Sequence, residues 1–140
     1  MSTNTLHFKI VTPEKIVYES DAKQVTVPTE SGEITVLPNH IALVSVLMPG
    51  ELVVVDSQPV YMAVSGGFIE VANNQITILA DTAERAEEID EKKAQEAHRR
   101  AQQLLTEARN KTDVDFSALS AKLEKELARL KVARRKKYRQ

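Results

Sequence analysis

The sequence predicts an α+β fold, with an N-terminal antiparallel β-sandwich of about eight to ten short strands over residues 1–82 and a C-terminal α-helical hairpin over residues 83–140. All 4 glycines, all 5 prolines and 20 of the 23 valines and isoleucines lie in the first part. β-branched residues favour strands, and glycine and proline favour the turns between them. Charge divides at the same place, with 3 Lys or Arg against 9 Asp or Glu in the first part and 16 against 11 in the second.

Apolar residues alternate with polar ones along several short segments of the first part. Leu6, Phe8 and Ile10 show this clearly, and Ile76 and Ile78 repeat it near the end of the unit. A period of two is typical of a strand with one buried face. Turn residues recur about every ten positions, which leaves no room for helices between the strands. We therefore expect antiparallel pairing, because parallel strands need long crossover connections.

The composition excludes several classes of site. The chain has no cysteine, so it has neither a disulfide nor a thiol nucleophile. Its 3 histidines, His7, His40 and His98, are too far apart to suggest a metal site by local spacing. No Ser/His/Asp arrangement can be assigned, so we expect no catalytic residue and no metal. Neither a run of about 18 apolar residues nor a basic segment followed by an apolar one is present, so we expect no membrane span and no signal peptide.

Two helices are predicted in the second part. Nothing breaks a helix from Ala83 to Arg109, and one face of that segment is almost entirely alanine. Residues 110–114 interrupt the pattern, and Asp115 can cap a second helix. The apolar stripe of that helix consists of Phe116, Leu119, Leu123, Leu127 and Leu130. Because alanine buries little area, the hairpin is either a small helical cap or an element that undocks.

The end of the second helix is strongly basic. Residues 129–140 carry seven positive charges and no acidic residue. Such a run is typical of a solvated helix end, and it also suits an anionic partner. Nucleic acid is one alternative, although Tyr138 is the only aromatic residue there for stacking on bases.

Three strings carry a family resemblance: SGEITVLPNH at residues 31–40, AVSGGFIEV at residues 63–71 and ITILADTAERA at residues 76–86. Together they resemble the epsilon subunit of the bacterial F-type ATP synthase, over nearly the whole chain. The resemblance implies a non-catalytic rotor subunit of the central stalk, peripheral at the cytoplasmic face of the cell inner membrane. Membrane association would come only through the complex. The sandwich would bind the gamma subunit and the c-ring, with Glu33 and His40 as c-ring contacts, and would couple rotation of the catalytic head to ion flow.

The resemblance also implies a regulatory hairpin. In one state it folds against the sandwich, and in another it extends into the catalytic hexamer and blocks ATP hydrolysis. The candidate contacts with the alpha and beta subunits are Lys122, Lys125, Arg129, Arg134 and Arg135. Some family members bind ATP through a motif whose positions here are Ile89, Asp90 and Lys93. Lys93 stands where the family has arginine and cannot form a planar bidentate contact, so we expect ATP binding to be weak or absent, and no other cofactor.

Two other functions remain as alternatives. A nucleic-acid-binding module that uses the basic helix would show strongly salt-dependent affinity that is lost without residues 129–140. A stand-alone enzyme would turn over ATP as an isolated chain. We favour the rotor subunit and expect no nucleic acid among its partners.

Overall fold

The computed structural model describes residues 4–109, 111 and 115–135, and within them eight strands are followed by two helices. The strands are β1 (Leu6–Val11), β2 (Ile16–Ala22), β3 (Gln24–Thr29), β4 (Gly32–Val36), β5 (Leu43–Val46), β6 (Gly50–Val55), β7 (Pro59–Ala72) and β8 (Gln75–Arg85). A 3-10 turn at Ala86–Glu88 leads into α1 (Glu91–Ala108), and α2 (Phe116–Arg134) follows. The predicted sandwich and helical hairpin are confirmed. Neither helix is long and apolar enough to cross a membrane, among the residues described.

Strand β7 joins the two layers of the sandwich. The sheet order is β2-β1-β8-β7-β6-β3-β4, and β5 pairs with the second half of β7. The strand bends at Gly66 and Gly67, both at positive φ. A Cβ added to Gly67 would lie 1.8 Å from the carbonyl oxygen of Leu79, so the bend requires glycine there. The first half of β7 therefore pairs with β6, and the second half pairs with β5.

One strand pair differs from the expected pattern. Strands β1 and β8 run parallel, with His7 opposite Gln75 and Val11 opposite Leu79. The expectation of wholly antiparallel pairing is therefore wrong at this pair. The physical reason is that the connection between these strands is the rest of the sandwich, which is long enough for a parallel return without a crossover helix.

The core of the sandwich lies between its two layers. Phe8 and Ile78 from one layer and Val25 and Leu52 from the other are all 0% exposed. The predicted alternation in β1 is confirmed, because Leu6, Phe8 and Ile10 are buried while the residues between them are half-buried. The outer faces of the two layers are thereby left for other contacts.

The first helix begins later than the sequence indicates. Strand β8 continues past the predicted boundary at Ala83, because Ala83, Glu84 and Arg85 still pair with β7. Helix α1 begins only at Glu91, and the carboxylate of Asp90 caps it by accepting a 3.1 Å hydrogen bond from the backbone nitrogen of Lys93. The expectation of an unbroken helix from Ala83 is therefore wrong, since sheet pairing overrides local helix propensity.

The two helices pack along an alanine seam. Ala94, Ala101 and Ala108 of α1 are buried, as predicted. The leucine stripe predicted for α2 is only partly correct, because Phe116 is 42% and Leu127 51% exposed. The second half of α2 packs on β6 and β7 as well as on α1. Two of its faces are therefore covered there, and the buried apolar residues are Ala128, Leu130, Val132 and Ala133.

Candidate functional site at the interface of helix α2 and the sandwich

The apolar contact between α2 and the sandwich is made mostly by small residues. Its buried members are Ala63, Ala86, Ile89, Ala94, Leu130, Val132 and Ala133, and the half-buried Tyr61 packs against them. Four of these seven are alanines. Because apolar stabilisation scales with the area removed from water, this cluster holds the helix less firmly than leucines at the same positions would.

An arginine at the C-terminal end of α2 forms a bidentate ion pair with strand β6. Arg135 donates from Nε to Oε2 and from Nη2 to Oε1 of Glu51, each at 2.9 Å. Its guanidinium also lies 4.9 Å from the centre of the Tyr61 ring. The Glu51 side chain is only 11% exposed. The hydrogen bonds to Glu51 raise the pKa of Arg135 above its ordinary value, so the guanidinium stays charged at every physiological pH.

A second arginine bridges α2 to strand β8. Arg129 donates from Nε to Oε1 of Glu84 at 2.7 Å and from Nη2 to Oε2 at 3.3 Å. Its Nη1 donates to Oε2 of Glu126 at 2.8 Å, and Glu126 is 7% exposed. Burial alone would lower the pKa of Arg129, but its hydrogen bonds to both carboxylates outweigh that and raise it. All three nitrogens of the guanidinium thus donate to carboxylates of this chain.

The other predicted cations of α2 are less constrained. Arg134 approaches Glu91 of α1 at 3.4 Å and is 50% exposed, so this pair contributes little. Lys122 is exposed and Lys125 half-buried, and neither forms an ion pair with any residue that the structure describes. Of the five predicted cations, the structure brings Arg129, Arg134 and Arg135 to carboxylates of the same chain.

The two predicted c-ring contacts lie at opposite ends of strand β4. Glu33 is near the β3–β4 turn, opposite Pro28, and is exposed. His40 lies in the loop after the strand, where its Nδ1 is 2.7 Å from the carbonyl oxygen of Ile41. The structure does not bring the two side chains together. Glu33 lies on the edge strand of the sheet order, whereas the loop of His40 is hydrogen-bonded through Asn39 to Asn74 in the turn between β7 and β8.

The three predicted nucleotide-binding residues lie together before and within the first turn of α1, but they point to different surroundings. Ile89 is 1% exposed and belongs to the apolar cluster under α2. The Asp90 carboxylate caps the helix through the Lys93 backbone, while the Lys93 side chain is exposed. In the described part of the chain, no group of three or more His, Asp or Glu residues could hold a metal ion.

Sequence reasoning missed an apolar row on the outer face of the layer that is formed by β2, β1, β8, the second half of β7 and β5. Five strands each contribute one residue, and the residues lie opposite one another in register. In order across the sheet they are Ile16, Val11, Leu79, Phe68 and Val46. Phe68 is 58%, Leu79 55% and Ile16 53% exposed. Apolar residues at outward positions, such as Phe68 beside the buried Ile69, were the signal that could have revealed it.

Sequence reasoning also missed the carboxylates that bind α2. Glu51 and Glu84 are separated from their arginine partners by 84 and 45 positions, respectively. Within its own strand, each glutamate looks like an ordinary outward-facing polar residue. No local signal distinguishes them, because the partner lies on an element whose docking is itself unknown at that stage.

Comparison with known proteins connects this architecture to one family. Residues 5–86 match the beta-sandwich domain of the ATP synthase delta/epsilon chain, and residues 87–134 match its long alpha-helix domain. The ATP synthase epsilon chain of Chloroflexus aggregans is 42% identical over 129 residues, which cover 91% of each chain. That of Alkalilimnicola ehrlichii is 40% identical over 134 residues, which cover 94% of each chain.

A solved structure shares the fold. A chain in the cryo-EM structure of the Euglena gracilis mitochondrial ATP synthase, comprising OSCP, F1 and c-ring, superimposes with a TM-score of 0.79 at 23% identity. The match covers 95% of this chain and 83% of that one. The resemblance seen in the sequence is confirmed by these matches, and the chain belongs to the ATP synthase delta/epsilon family.

Proposed function

We propose that this chain is a central-stalk rotor subunit of an ATP synthase that couples rotation to ion flow through its sandwich and restrains ATP hydrolysis through its hairpin. It is a subunit and not an enzyme by itself. The observation that carries the inhibitory role is the interface of α2 with the sandwich, which combines small apolar residues with arginine–carboxylate pairs. Such an interface separates at lower cost than a large apolar one and leaves a cationic helix for an acidic partner.

The apolar row is the proposed contact with the gamma subunit. The helical hairpin covers β6 and β7 on one layer, whereas the row crosses the outer face of the other layer. Exposed apolar groups that cross five strands are typical of a protein interface. Binding of gamma there would leave the hairpin free to move on the opposite side.

The edge of β4 is the proposed contact with the c-ring. The strand has 5 residues and so is about 17 Å long. A partner lying along this edge would reach Glu33 at one end and the loop of His40 at the other. In this arrangement the chain associates with the cytoplasmic face of the cell inner membrane only through the complex.

The exposed side of α2 is the proposed contact with the alpha and beta subunits. A groove of about 440 Å³ there is lined by Leu127, Leu130, Lys131, Arg134 and Arg135. A lining of leucines, lysine and arginines suits an amphipathic acidic segment, and Lys122 and Lys125 extend the charge along the helix. ATP is proposed only as a weak regulatory ligand near Lys93.

The test is ATP hydrolysis by the assembled catalytic complex, with the full chain and with a version that ends at Glu88. This end point keeps the whole of β8, so the sandwich retains its pairing. We expect truncation to raise hydrolysis while the subunit still copurifies with the complex. Unchanged hydrolysis in a fully assembled complex would contradict the inhibitory role and leave the coupling role standing.

A further inference from the structure

The apolar row is too narrow to be a whole interface by itself. It crosses five strands, which corresponds to about 19 Å at about 4.8 Å per strand spacing. Its width is one side-chain repeat along a strand, about 6.8 Å, so the row covers about 130 Å². A stable interface between two proteins covers about 800 Å² on each partner. A partner that covers the row therefore also covers residues on both sides of it.

A carboxylate lies on each side of the row at its centre. Phe68 of β7 is opposite Leu79 of β8, and the two strands are antiparallel. Glu70 follows Phe68 by two positions and Asp81 follows Leu79 by two, so both project from the outer face, on opposite sides of the row. Both are exposed, and neither forms an ion pair with any residue that the structure describes. A partner that covers the row therefore meets unpaired negative charge on both sides.

A pocket of about 360 Å³ lies on the Asp81 side of the row. Its volume is that of about twelve water molecules at about 30 Å³ each, so it admits a long side chain. The residues that line it include Val11, Pro13, Gly67, Phe68, Leu79 and Asp81. Glu70 does not line it, and Asp81 is the one charged residue among the described residues that do. The pocket thus combines an apolar lining with a single carboxylate.

The bend in β7 fixes the position of the Asp81 carboxylate. A Cβ at Gly66 would collide with that carboxylate, so the missing side chain of glycine leaves the space that the carboxylate occupies. Asp81 also lines an adjoining pocket of about 270 Å³ together with Lys15, but the two residues form no ion pair. A carboxylate that is already held in place loses little conformational entropy when a partner binds it.

The lining of the pocket indicates which side chain fits it. An apolar stem would pack on Val11 and Leu79, and a cationic end would reach Asp81. Arginine fits better than lysine, because its planar guanidinium stacks on an aromatic ring such as the exposed Phe68 and donates to both oxygens of a carboxylate. Arginine is also one of the residue types that contribute most to binding at the centre of an interface.

We propose that this pocket binds one arginine side chain of the gamma subunit, with Asp81 as its carboxylate partner and Phe68 as the ring on which it stacks. The inference rests on the proposed contact of gamma with the apolar row. It adds that a single ion pair on the Asp81 side fixes the position of gamma on the sandwich. Apolar contacts alone are non-directional, whereas a bidentate ion pair specifies one geometry.

The first experiment titrates purified gamma with the full chain and measures the dissociation constant. Asp81→Asn removes the charge with little change of shape, and we expect it to weaken binding at least about tenfold, because charge-assisted hydrogen bonds are lost. Glu70→Gln is the matched control, since it removes the same charge at the same sequence distance from the row but outside the pocket. It should weaken binding by at most about threefold. Equal weakening by the two variants would show that gamma recognises net charge and would overturn the proposal.

The second experiment identifies the arginine. Phenylglyoxal modifies accessible arginine side chains, and mass spectrometry of gamma then reports which of its arginines have reacted. With saturating amounts of the unmodified chain, or of Glu70→Gln, we expect one arginine of gamma to be protected. The same arginine should react when the complex is formed with Asp81→Asn. If the same arginines of gamma are modified with all three chains, the proposal is overturned.

The arginine site and the proposed gamma contact fail in different ways. If Phe68→Ser and Leu79→Ser weaken gamma binding while Asp81→Asn does not, the contact stands and the arginine site is overturned. If none of the three variants weakens binding, the gamma contact is itself wrong, and the arginine site is overturned with it. Asp81→Ser also removes the charge and has a smaller side chain, so it replaces Asp81→Asn should that variant reduce the yield of folded chain.

Discussion

Asn39 and Asn74 exchange hydrogen bonds between the loop that follows β4 and the turn that joins β7 to β8. The backbone nitrogen of Asn39 donates to Oδ1 of Asn74, and Nδ2 of Asn74 donates to Oδ1 of Asn39 at 3.2 Å. Both residues have positive φ, at 68° and 59°. The pair therefore fixes the loop that carries His40, one of the two proposed c-ring contacts.

Replacement of Asn74 by glycine tests how much the hydrogen bonds between Asn39 and Asn74 stabilise the fold. Glycine tolerates the positive φ, so Asn74→Gly removes the side-chain hydrogen bonds without adding backbone strain. We expect a loss of about 1 kcal/mol in the free energy of unfolding, measured by urea denaturation. The neighbouring Asn73 also has a positive φ, of 52°, which makes Asn73→Gly the matched control. Equal losses in the two variants would contradict a special role for Asn74.

The bend in β7 predicts that substitution by alanine destabilises the chain much more at Gly67 than at Gly32. A Cβ at Gly67 would meet the Leu79 carbonyl oxygen at 1.8 Å, whereas a Cβ at Gly32 would have nothing within 4 Å. Both residues have positive φ, at 116° and 109°, so backbone strain is common to the two. We expect Gly67→Ala to lower the free energy of unfolding by more than about 3 kcal/mol and Gly32→Ala by about 1 kcal/mol. Similar values, measured by thermal unfolding, would show that the sheet relaxes around Gly67.

A histidine on strand β1 makes the stability of the sandwich depend on pH. Hydrogen bonds to Glu19 and then to Asp21 raise the pKa of His7 above its ordinary value of 6.5. The ring is 2.6 Å from Glu19 and 3.3 Å from Asp21, and it is 42% exposed. Because the folded-state pKa is raised, the stabilisation is fully present below pH 6.5 and is lost as the pH rises through the folded-state pKa.

The His7 shift is measured by following the ring proton signals during an NMR titration. We expect a midpoint above 6.5, and Glu19→Gln should move it back towards that value. His7→Gln should remove this contribution to the pH dependence of unfolding while leaving the fold intact. A midpoint at or below 6.5 in the unmodified chain would contradict the pairing of His7 with Glu19 and Asp21.

The apolar row predicts the effect of polar substitutions on assembly. Phe68→Ser and Leu79→Ser each remove an apolar side chain that is more than half exposed, so the isolated chain should lose little stability. If gamma covers the row, each change should weaken gamma binding by at least about tenfold, since a buried large apolar side chain contributes about 1.5 to 3 kcal/mol. Titration of purified gamma with the full chain measures this. Leu104→Ser, at a 44% exposed position of α1, is the control that should bind normally.

The sequence predicted those features that depend on local pattern. Alternation identified the buried face of β1 through Phe8, and helical spacing identified the seam through Ala94 and Ala101. The sequence prediction was wrong where the structure depends on residues that are distant in the chain. Ala83 remains in a strand because β7 pairs with it, and Leu127 is exposed because the sandwich covers another side of α2. The Glu51–Arg135 pair joins positions 84 residues apart, and no periodicity reveals such a contact.

The parallel pairing of β1 with β8 also has a consequence for synthesis of the chain. The first strand of the sandwich gains its partner in the sheet interior only when residues 75–79 have been made, so no shorter nascent segment completes the core. Contacts this distant in sequence slow folding, whereas the hairpin of α1 and α2 forms from neighbouring segments. During synthesis on the ribosome, β1 and β2 are therefore expected to keep an apolar face exposed until β8 has been made. The sandwich then folds in one late step.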